Sequence, residues 1–455
     1  MNKTKIGLEI HGYLVTNEKL FCSCKSEHGA KFSKPNTNIC PTCTGQPGAK
    51  PMLPNARALN KTIDAALILG CKINENLVWK RKHYSWPDLP KGYQNTISGA
   101  HSDPVGIKGK FAGIGITEVH LEEDPAAWNP KTGEIDYNRS GSPLIEIVTE
   151  PEFKNPEEVI GWLKQLILTL SYIKAVDKKL GLKADVNIST GGERIEIKNV
   201  NSLRNIKTAL EYEIARQKKE RPKEKETRMF DESKGITKKM RAKEAAQDYR
   251  FISEPDLPKM NITSNRIKKA KDSLPETPQK KLERLIKKYK IPENSAKILI
   301  RNIDVAELFE ETIEKSNPRL AIRWITEELL SVLNYNKKEL SEVEIKPEHF
   351  IELLKLIEEK KITEHKAREI LRSWTEKSSS PKEVVSRHKI ISEKEVKKIS
   401  REVIKENPMP VQDYKEGKEQ ALNFLMGQVM RKSDKRAGPQ EVKEVLRKIL
   451  KGKLG

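Results

Sequence analysis

Aromatic side chains make up only 5% of this 455-residue chain, and cysteine occurs five times. No apolar run reaches the length of a bilayer span and the mean hydropathy is −0.67, which excludes an ordinary helical membrane protein. The opening Met1-Asn2-Lys3-Thr4-Lys5-Ile6-Gly7 offers no apolar signal segment, so secretion is not expected and a cytoplasmic location is. A Gly-x4-Gly-Lys-Ser/Thr loop is absent, and Gly113-Ile114-Gly115 lacks the third glycine of a dinucleotide fingerprint. Any nucleotide site is therefore expected to be sheet-based and metal-held. Acidic residues are also short: 65 against 86 basic, a formal charge of +21. Hydrophobic residues still reach 36%, enough to fold, and the length suits about three domains. A polyanionic partner is the first implication of the charge.

The excess is uneven. Residues 1–150 carry 18 basic and 15 acidic groups, residues 151–350 carry 42 and 33, and the last 105 carry 26 and 17. Between Glu118 and Glu150 the sign reverses, with eight acids against Lys131 and Arg139. Carboxylates crowded onto strand-like segments of a basic chain point to a divalent-cation site, or to a solvated strand face. The strand pattern covers Lys5–Val15, Gly113–His120, Ser142–Val148, Ala184–Ser189 and Arg194–Lys198. Helices are expected at Ala56–Leu69 and, after the cap signal Asn155-Pro156, to Ile173. Strands and helices do not alternate regularly, so the expected class is α+β, with an N-terminal, mainly antiparallel-sheet domain followed by all-helical domains. Residues 216–243 are highly charged and read as an exposed, mobile connection. Beyond residue 280 the pattern is helical, broken at Ser378-Ser379-Ser380-Pro381, and ends in helices near Lys418–Arg431 and Pro439–Leu450.

Four of the five cysteines form two tight pairs, Cys22-Ser23-Cys24 and Cys40-Pro41-Thr42-Cys43. Two such knuckles can present four thiolates to a structural zinc ion; disulfides are the alternative, which the absence of a signal segment disfavours. Cys71 follows an apolar helix and reads as a buried small hydrophobe.

Chemistry-bearing groups concentrate on four apolar stretches. In Ile6-Gly7-Leu8-Glu9-Ile10-His11, Glu9 and His11 share a strand face. In Glu118-Val119-His120-Leu121-Glu122-Glu123-Asp124, Glu118, His120 and Glu122 do the same. Glu146 and Glu150 are in phase in Leu144-Ile145-Glu146-Ile147-Val148-Thr149-Glu150. Ala184-Asp185-Val186-Asn187 and Glu196-Ile197-Lys198-Asn199-Val200-Asn201 complete the set. Each alone is compatible with surface pairs; together they supply hard oxygen ligands, a histidine and a lysine within reach of phosphate.

These stretches, with Tyr84-Ser85-Trp86-Pro87-Asp88-Leu89-Pro90-Lys91-Gly92-Tyr93-Gln94, Glu226-Thr227-Arg228-Met229-Phe230-Asp231-Glu232 and Asp248-Tyr249-Arg250-Phe251-Ile252-Ser253-Glu254-Pro255-Asp256-Leu257, resemble the GatB/GatE family of tRNA-dependent amidotransferase proteins. Asp413-Tyr414-Lys415-Glu416-Gly417-Lys418 and Phe424-Leu425-Met426-Gly427-Gln428-Val429-Met430 resemble its C-terminal domain. The likeness runs over almost the whole chain. The chain is too short for the large insertion of the E branch, which favours the B branch. Ser253 stands where a proline is usual, and Trp86 where Tyr or Phe is. The cysteine pairs match a zinc-bearing subset of the family.

The resemblance implies a glutamine-synthetase-like catalytic cradle over residues 1–280 (zinc knuckles at 22–43), a helical linker at 281–345 and a tRNA-binding tail at 346–455. It implies a carbon–nitrogen ligase that uses ATP to phosphorylate the side-chain carboxylate of Glu-tRNA(Gln), Asp-tRNA(Asn) or both. Ammonia then arrives from a glutaminase partner, the amidase or A component, in a heterotrimer completed by a small C component. No Ser, Cys or Lys arrangement suited to glutamine hydrolysis is present here. The catalytic candidates it implies are Glu9, His11, Glu122, Glu123, Glu146, Glu150, Asp185, Asn187 and Lys198. Among them Glu9, His11, Glu122 or Glu123, and Glu150 are the implied Mg²⁺ ligands, while Lys198 could steady a phosphate or pair with a strand carboxylate. Lys91, Gln94, Asn199 and Asn201 would line the ATP or substrate region, and Cys22, Cys24, Cys40 and Cys43 would hold Zn²⁺. Arg431, Lys432, Lys435 and Arg436, between the last two helices, would contact tRNA phosphates, unless they form only a solvated helix tip. Two rival classes remain open at this point: a non-enzymatic zinc-ribbon RNA-binding protein, and a ligase acting on free glutamate.

Overall fold

The computed structural model describes residues 4–26, 34–99, 103–176, 182–240, 250–385 and 391–451. The chain divides into two compact units, residues 1–278 and 279–455. In the first, the described residues build a twelve-stranded sheet. Its strands are β1 (Lys5–Tyr13), β2 (Lys72–Ile73), β3 (Lys80–His83), β4 (Gln94–Thr96), β5 (Gly106–Phe111) and β6 (Ile114–Glu123). They continue with β7 (Pro143–Thr149), β8 (Lys183–Ser189), β9 (Ile195–Asn201), β10 (Glu226–Asp231), β11 (Ile236–Lys239) and β12 (Arg250–Ser253). The spatial order is β11-β10-β9-β8-β1-β7-β6-β4-β3-β12, with β5 also paired to β6 and β2 to β5. Pairing is antiparallel throughout except at β9–β10, which is parallel. The expected α+β class with a mainly antiparallel sheet holds.

Period-two alternation divides the sheet into two unlike faces. Ile6, Leu8 and Ile10 of β1, Ile145 and Ile147 of β7, Val186 of β8 and Ile197 of β9 lie on the apolar side. They share one core with side chains of α1 (Ala56–Ile68), α2 (Pro156–Tyr172) and α3 (Leu203–Lys219), including Ile63, Trp162, Leu166, Ile206 and Leu210. Each such aliphatic or aromatic group contributes roughly 2 kcal/mol by leaving water. Asn55 caps α1 by accepting from the Arg57 and Ala58 amides, and Asn155 caps α2 by accepting from Glu158 with Pro156 in the first turn. With one face committed to core, the other is free to carry polar chemistry.

Residues 216–243 are not the mobile connection that their charge suggests. As far as Met240 they comprise the end of α3 and the β10–β11 hairpin. Their buried charges are paired: Arg228 reaches the fully buried Glu213 of α3 at 3.0 Å, and Arg216 reaches it at 2.9 Å. Residues 241–243 lie outside the described residues, as do Asp248 and Tyr249 of the motif noted above.

The second unit is helical, with α4 (Ile303–Ile313), α5 (Pro347–Glu358), α6 (Glu364–Ser373), α7 (Glu393–Glu406), α8 (Pro408–Lys415), α9 (Glu419–Lys432) and α10 (Pro439–Leu450). The Ser378–Pro381 break falls between the end of α6 and a short helix beginning at Pro381. Val396 and Val403 of α7, Leu422, Leu425 and Val429 of α9, and Val442 and Leu446 of α10 form a separate core. No helix among the described residues is long and apolar enough to cross a membrane.

Candidate active site and metal centres

The polar face of the sheet gathers ionisable groups from neighbouring strands in register. Glu9 lies opposite Asp185, His11 opposite Glu146, and Glu146 opposite His120. Asn187 lies opposite Glu196, and Glu196 opposite Thr227. Directly paired residues share a face, so β10, β9, β8, β1, β7 and β6 contribute to one continuous polar row.

Two clusters occupy this row, one formed by His11, Glu122 and Glu146 and the other by Glu9, Asp185 and Glu196. Within each, one potential ligand atom per residue lies within 4.8 Å of the others. In the first, Glu146 Oε2 is 3.2 Å from His11 Nε2 and 3.0 Å from His120 Nε2, and Glu118 stands 3.3 Å from His120 Nδ1. Burial disfavours charge on His11, but Glu146, then Glu122 and Asp185, carry its pKa up to about 9. Burial likewise opposes protonation of His120, and Glu146 with Glu118 carries it up to about 10. Burial pushes Glu146 up, yet the two imidazoles outweigh it and hold the carboxyl well below its ordinary range.

In the second cluster three carboxylates share one lysine. Lys198 Nζ is 2.6 Å from Glu196 and 3.1 Å from Asp185, while Asn187 Nδ2 donates to Glu9 Oε1 at 3.0 Å. Burial, then the negative charge of Glu146, Asp185 and Glu196, raises the Glu9 pKa, against the opposing pull of Lys198. Buried polar atoms with no hydrogen-bond partner among the described residues include Glu122 Oε2 and Asn187 Oδ1 of the row and, on neighbouring β4, the hydroxyl of Thr96, which stands opposite Glu122. Crowded carboxylates with unsatisfied oxygens fit hard divalent cations and the phosphates they carry.

The structure does not bring every anticipated residue to this row. Glu123 is one residue out of phase with Glu122. Its carboxylate is held by Lys91 Nζ at 2.6 Å and the Asn95 amide at 2.8 Å, while Gln94 donates to its backbone carbonyl at 2.8 Å. Lys91, Gln94 and Glu123 thus form a group of their own. Glu150 is exposed, lies beyond the end of β7 and accepts from Thr117 at 3.0 Å. A register shift between Val148 and Thr149 ends the phase that would have aligned it with Glu146. Neither Glu123 nor Glu150 belongs to a cluster with His11 or Glu9. Asn201 is exposed at the end of β9, and the side chain of Asn199 lies outside what is described. His120 and Glu196 stand in the chemistry-bearing stretches of the sequence but not among the catalytic candidates drawn from them. The Glu118-His120-Glu122 alternation was an available signal for His120; Glu196 needed the cross-strand register.

The four cysteines also converge. Cys22, Cys24, Cys40 and Cys43 place their sulfurs within 4.8 Å of one another, and none is in a disulfide. The Cys40 amide points at Cys43 Sγ at 3.1 Å. This donor set fits a soft tetrahedral cation. Cys71 is buried and apart from them.

In the second unit, Lys432 is engaged by Glu402 and Glu406 at 3.3 and 2.6 Å, and Lys435 by Glu369 at 3.6 Å. Arg436 donates to the Ser433 carbonyl, and Arg431 is exposed. A denser basic surface lies on α7, where Lys394, Lys397, Lys398, Arg401 and Lys405 border a groove together with Glu395 and Glu402. Their spacing puts them on one helical face.

Comparison with known proteins bears on both units. Residues 4–268 match the family model described as the GatB/GatE catalytic domain, and residues 307–450 the one described as the GatB domain. The B subunit of the aspartyl/glutamyl-tRNA(Asn/Gln) amidotransferase of Methanocaldococcus jannaschii is 46% identical over 469 aligned positions, covering 98% of each chain. Proteins of the same name from Methanopyrus kandleri and Methanothermobacter thermautotrophicus are 42% and 43% identical, covering 99% and 97% of this chain and 99% of their own lengths. With the catalytic-domain match spanning the polar face and near full-length identity above 40%, this chain belongs to the GatB/GatE family.

Proposed function

We propose that the chain is the B subunit of a glutamine-dependent tRNA amidotransferase, a carbon–nitrogen ligase that amidates mischarged Glu-tRNA(Gln), Asp-tRNA(Asn) or both. The observation that carries this reading is the pair of clusters on one sheet face of a chain whose full-length relatives bear that name. A carboxylate is a poor electrophile. Its oxygen attacks the γ-phosphorus of ATP, ADP leaves, and the resulting acyl phosphate is open to attack by ammonia with loss of inorganic phosphate. His11, Glu122 and Glu146, and separately Glu9, Asp185 and Glu196, would hold Mg²⁺, which supplies charge neutralisation between the reacting anions. Asn187 orients Glu9, and Lys198 holds Asp185 and Glu196 in place. The alternatives, a zinc-ribbon RNA binder without activity and a ligase of free glutamate, find no support in these relationships. The deciding experiment incubates the chain with mischarged tRNA, ATP, glutamine, the amidase partner and the small C component. Gln-tRNA or Asn-tRNA is the expected product, and amidation of free glutamate without tRNA would overturn the reading.

Residues 1–280 would form the catalytic cradle, 281–345 a linker and 346–455 the tRNA-binding tail, in a cytoplasmic complex with the amidase and the small C component. The four thiolates would hold one structural Zn²⁺, since a closed Cys₄ set leaves no open position for substrate. Protein prepared in zinc-replete, reducing medium is expected to contain one zinc per chain, and Cys40→Ser to lose most of it, as read by elemental analysis.

For tRNA, the α7 surface is the stronger contact, because it sets five basic side chains on one helical face. Reversing Lys394, Lys398 and Arg401 to glutamate together should weaken tRNA binding at least ~10-fold at 0.1 M salt and flatten its dependence on salt. Filter-binding titrations at several salt concentrations read both quantities. Reversing Lys432 and Lys435 should do less.

A further inference from the structure

The Glu226-Thr227-Arg228 stretch, conspicuous in sequence, has no part in the chemistry above, yet it forms the outer wall of the second carboxylate cluster. β10 runs parallel to β9 and sets Thr227 opposite Glu196. The Thr227 hydroxyl donates to Glu196 Oε2 at 3.1 Å, while Glu196 Oε1 meets Lys198 at 2.6 Å. Both oxygens of this carboxylate are therefore held by different strands, and each keeps lone-pair capacity for a further partner. On the opposite face of β10, Arg228 contacts Glu213 at 3.0 Å, the Thr237 hydroxyl at 2.8 Å, the Thr237 carbonyl at 3.0 Å and Glu226 at 2.9 Å. Glu213 is fully buried and also accepts from Gln217, whose own carbonyl oxygen accepts from the Thr190 amide at the end of β8. The strand bearing Thr227 is thus anchored to α3, β11 and the neighbourhood of β8 at once.

We propose that Thr227 is a positioning residue for cation binding by Glu9, Asp185 and Glu196: its hydroxyl holds the Glu196 carboxylate open toward the cluster. Without that hydrogen bond the carboxylate turns onto Lys198, which then competes with the cation for both oxygens. Arg228 and Glu213 set the position of Thr227 without touching the cluster. This inference rests on the reading of the three carboxylates as a divalent-cation subsite. It predicts that the ammonium of Lys198 and the bound cation trade places on Glu196 when the hydroxyl is removed.

The test is a Mn²⁺ titration of the full chain, with free Mn²⁺ read by electron paramagnetic resonance, for wild type, Thr227→Val, Thr227→Ser and Glu196→Gln. Thr227→Val keeps shape and strand propensity, so thermal unfolding should not change. Its affinity for one class of Mn²⁺ sites should fall ~10-fold, the lower end for loss of a group that orients a ligand. Thr227→Ser should recover to within about 3-fold of wild type, because the hydroxyl is restored. Glu196→Gln should weaken the same class of sites. If Glu196→Gln weakens Mn²⁺ binding but Thr227→Val binds as wild type does, the positioning role is overturned on its own. If neither substitution changes Mn²⁺ binding, the cation subsite itself is wrong and the inference falls with it.

Discussion

Glu146→Gln is expected to lower ATP-dependent amide formation by on the order of 10³-fold, while glutamine hydrolysis by the amidase partner continues. Glu146 is the carboxylate that both imidazoles of the site address, at 3.2 Å from His11 and 3.0 Å from His120. Its neutral isostere keeps the size of the side chain and removes the charge. Two consequences follow. The hard anionic oxygen between the histidines is gone, and His11 and His120 lose the partner chiefly responsible for their raised pKa values. Losing a group that merely orients a ligand costs ~10–100-fold in affinity or activity, and losing the ligating oxygen itself should cost more. The measurement is formation of amidated aminoacyl-tRNA under single-turnover conditions with the amidase and the small C component present. Glu150→Ala is the internal contrast. That carboxylate is exposed and bound to Thr117, so the rate should stay within about 3-fold of wild type, the scale of a surface change. Equal losses in both variants would mean that the register between β1, β7 and β6 does not define the site.

Much of this arrangement was legible from residue spacing. Glu9 and His11 are two apart on an alternating apolar strand, and Glu118, His120 and Glu122 repeat that spacing, so each set had to share a face. Asn155-Pro156 marked the start of α2 because the asparagine side chain satisfies an amide that no helical carbonyl can reach. The paired cysteines announced a four-thiol cluster. What spacing along one strand could not carry was register between strands. Nothing in Leu144–Glu150 reveals that β7 slips against β6 after Val148, so Glu150 reads as in phase with Glu146 when it is not. Glu122 and Glu123 are adjacent and chemically alike. Only their pairing separates them, Glu122 toward His11 and Glu123 toward Lys91. Glu196 becomes part of the site because β8 lies between β1 and β9, a long-range fact with no local signature.

The charged stretch after residue 216 shows a different limit. Composition treats each ionic group as solvated, but Glu213, Arg216, Gln217, Arg228 and Thr237 satisfy one another in a buried network that ties α3 to the β10–β11 hairpin. The same network predicts a large effect on stability. Glu213→Gln should destabilise the first unit by about 3 kcal/mol, because two arginines would remain there without their shared anion. Glu213 is fully buried, and Arg228 and Arg216 are only 11% and 12% exposed, so water cannot replace the lost charge. Arg228→Met alone should cost a comparable amount by leaving the carboxylate under-compensated. Combining Arg228→Met with Glu213→Gln should cost less than the sum of the single changes, since Arg228 is then no longer left buried without its anion. Urea unfolding followed through the first unit's tryptophans gives the three values. Additive losses would show that the two groups act independently, and the hairpin would then owe its order to strand pairing with β9 rather than to the buried carboxylate of α3.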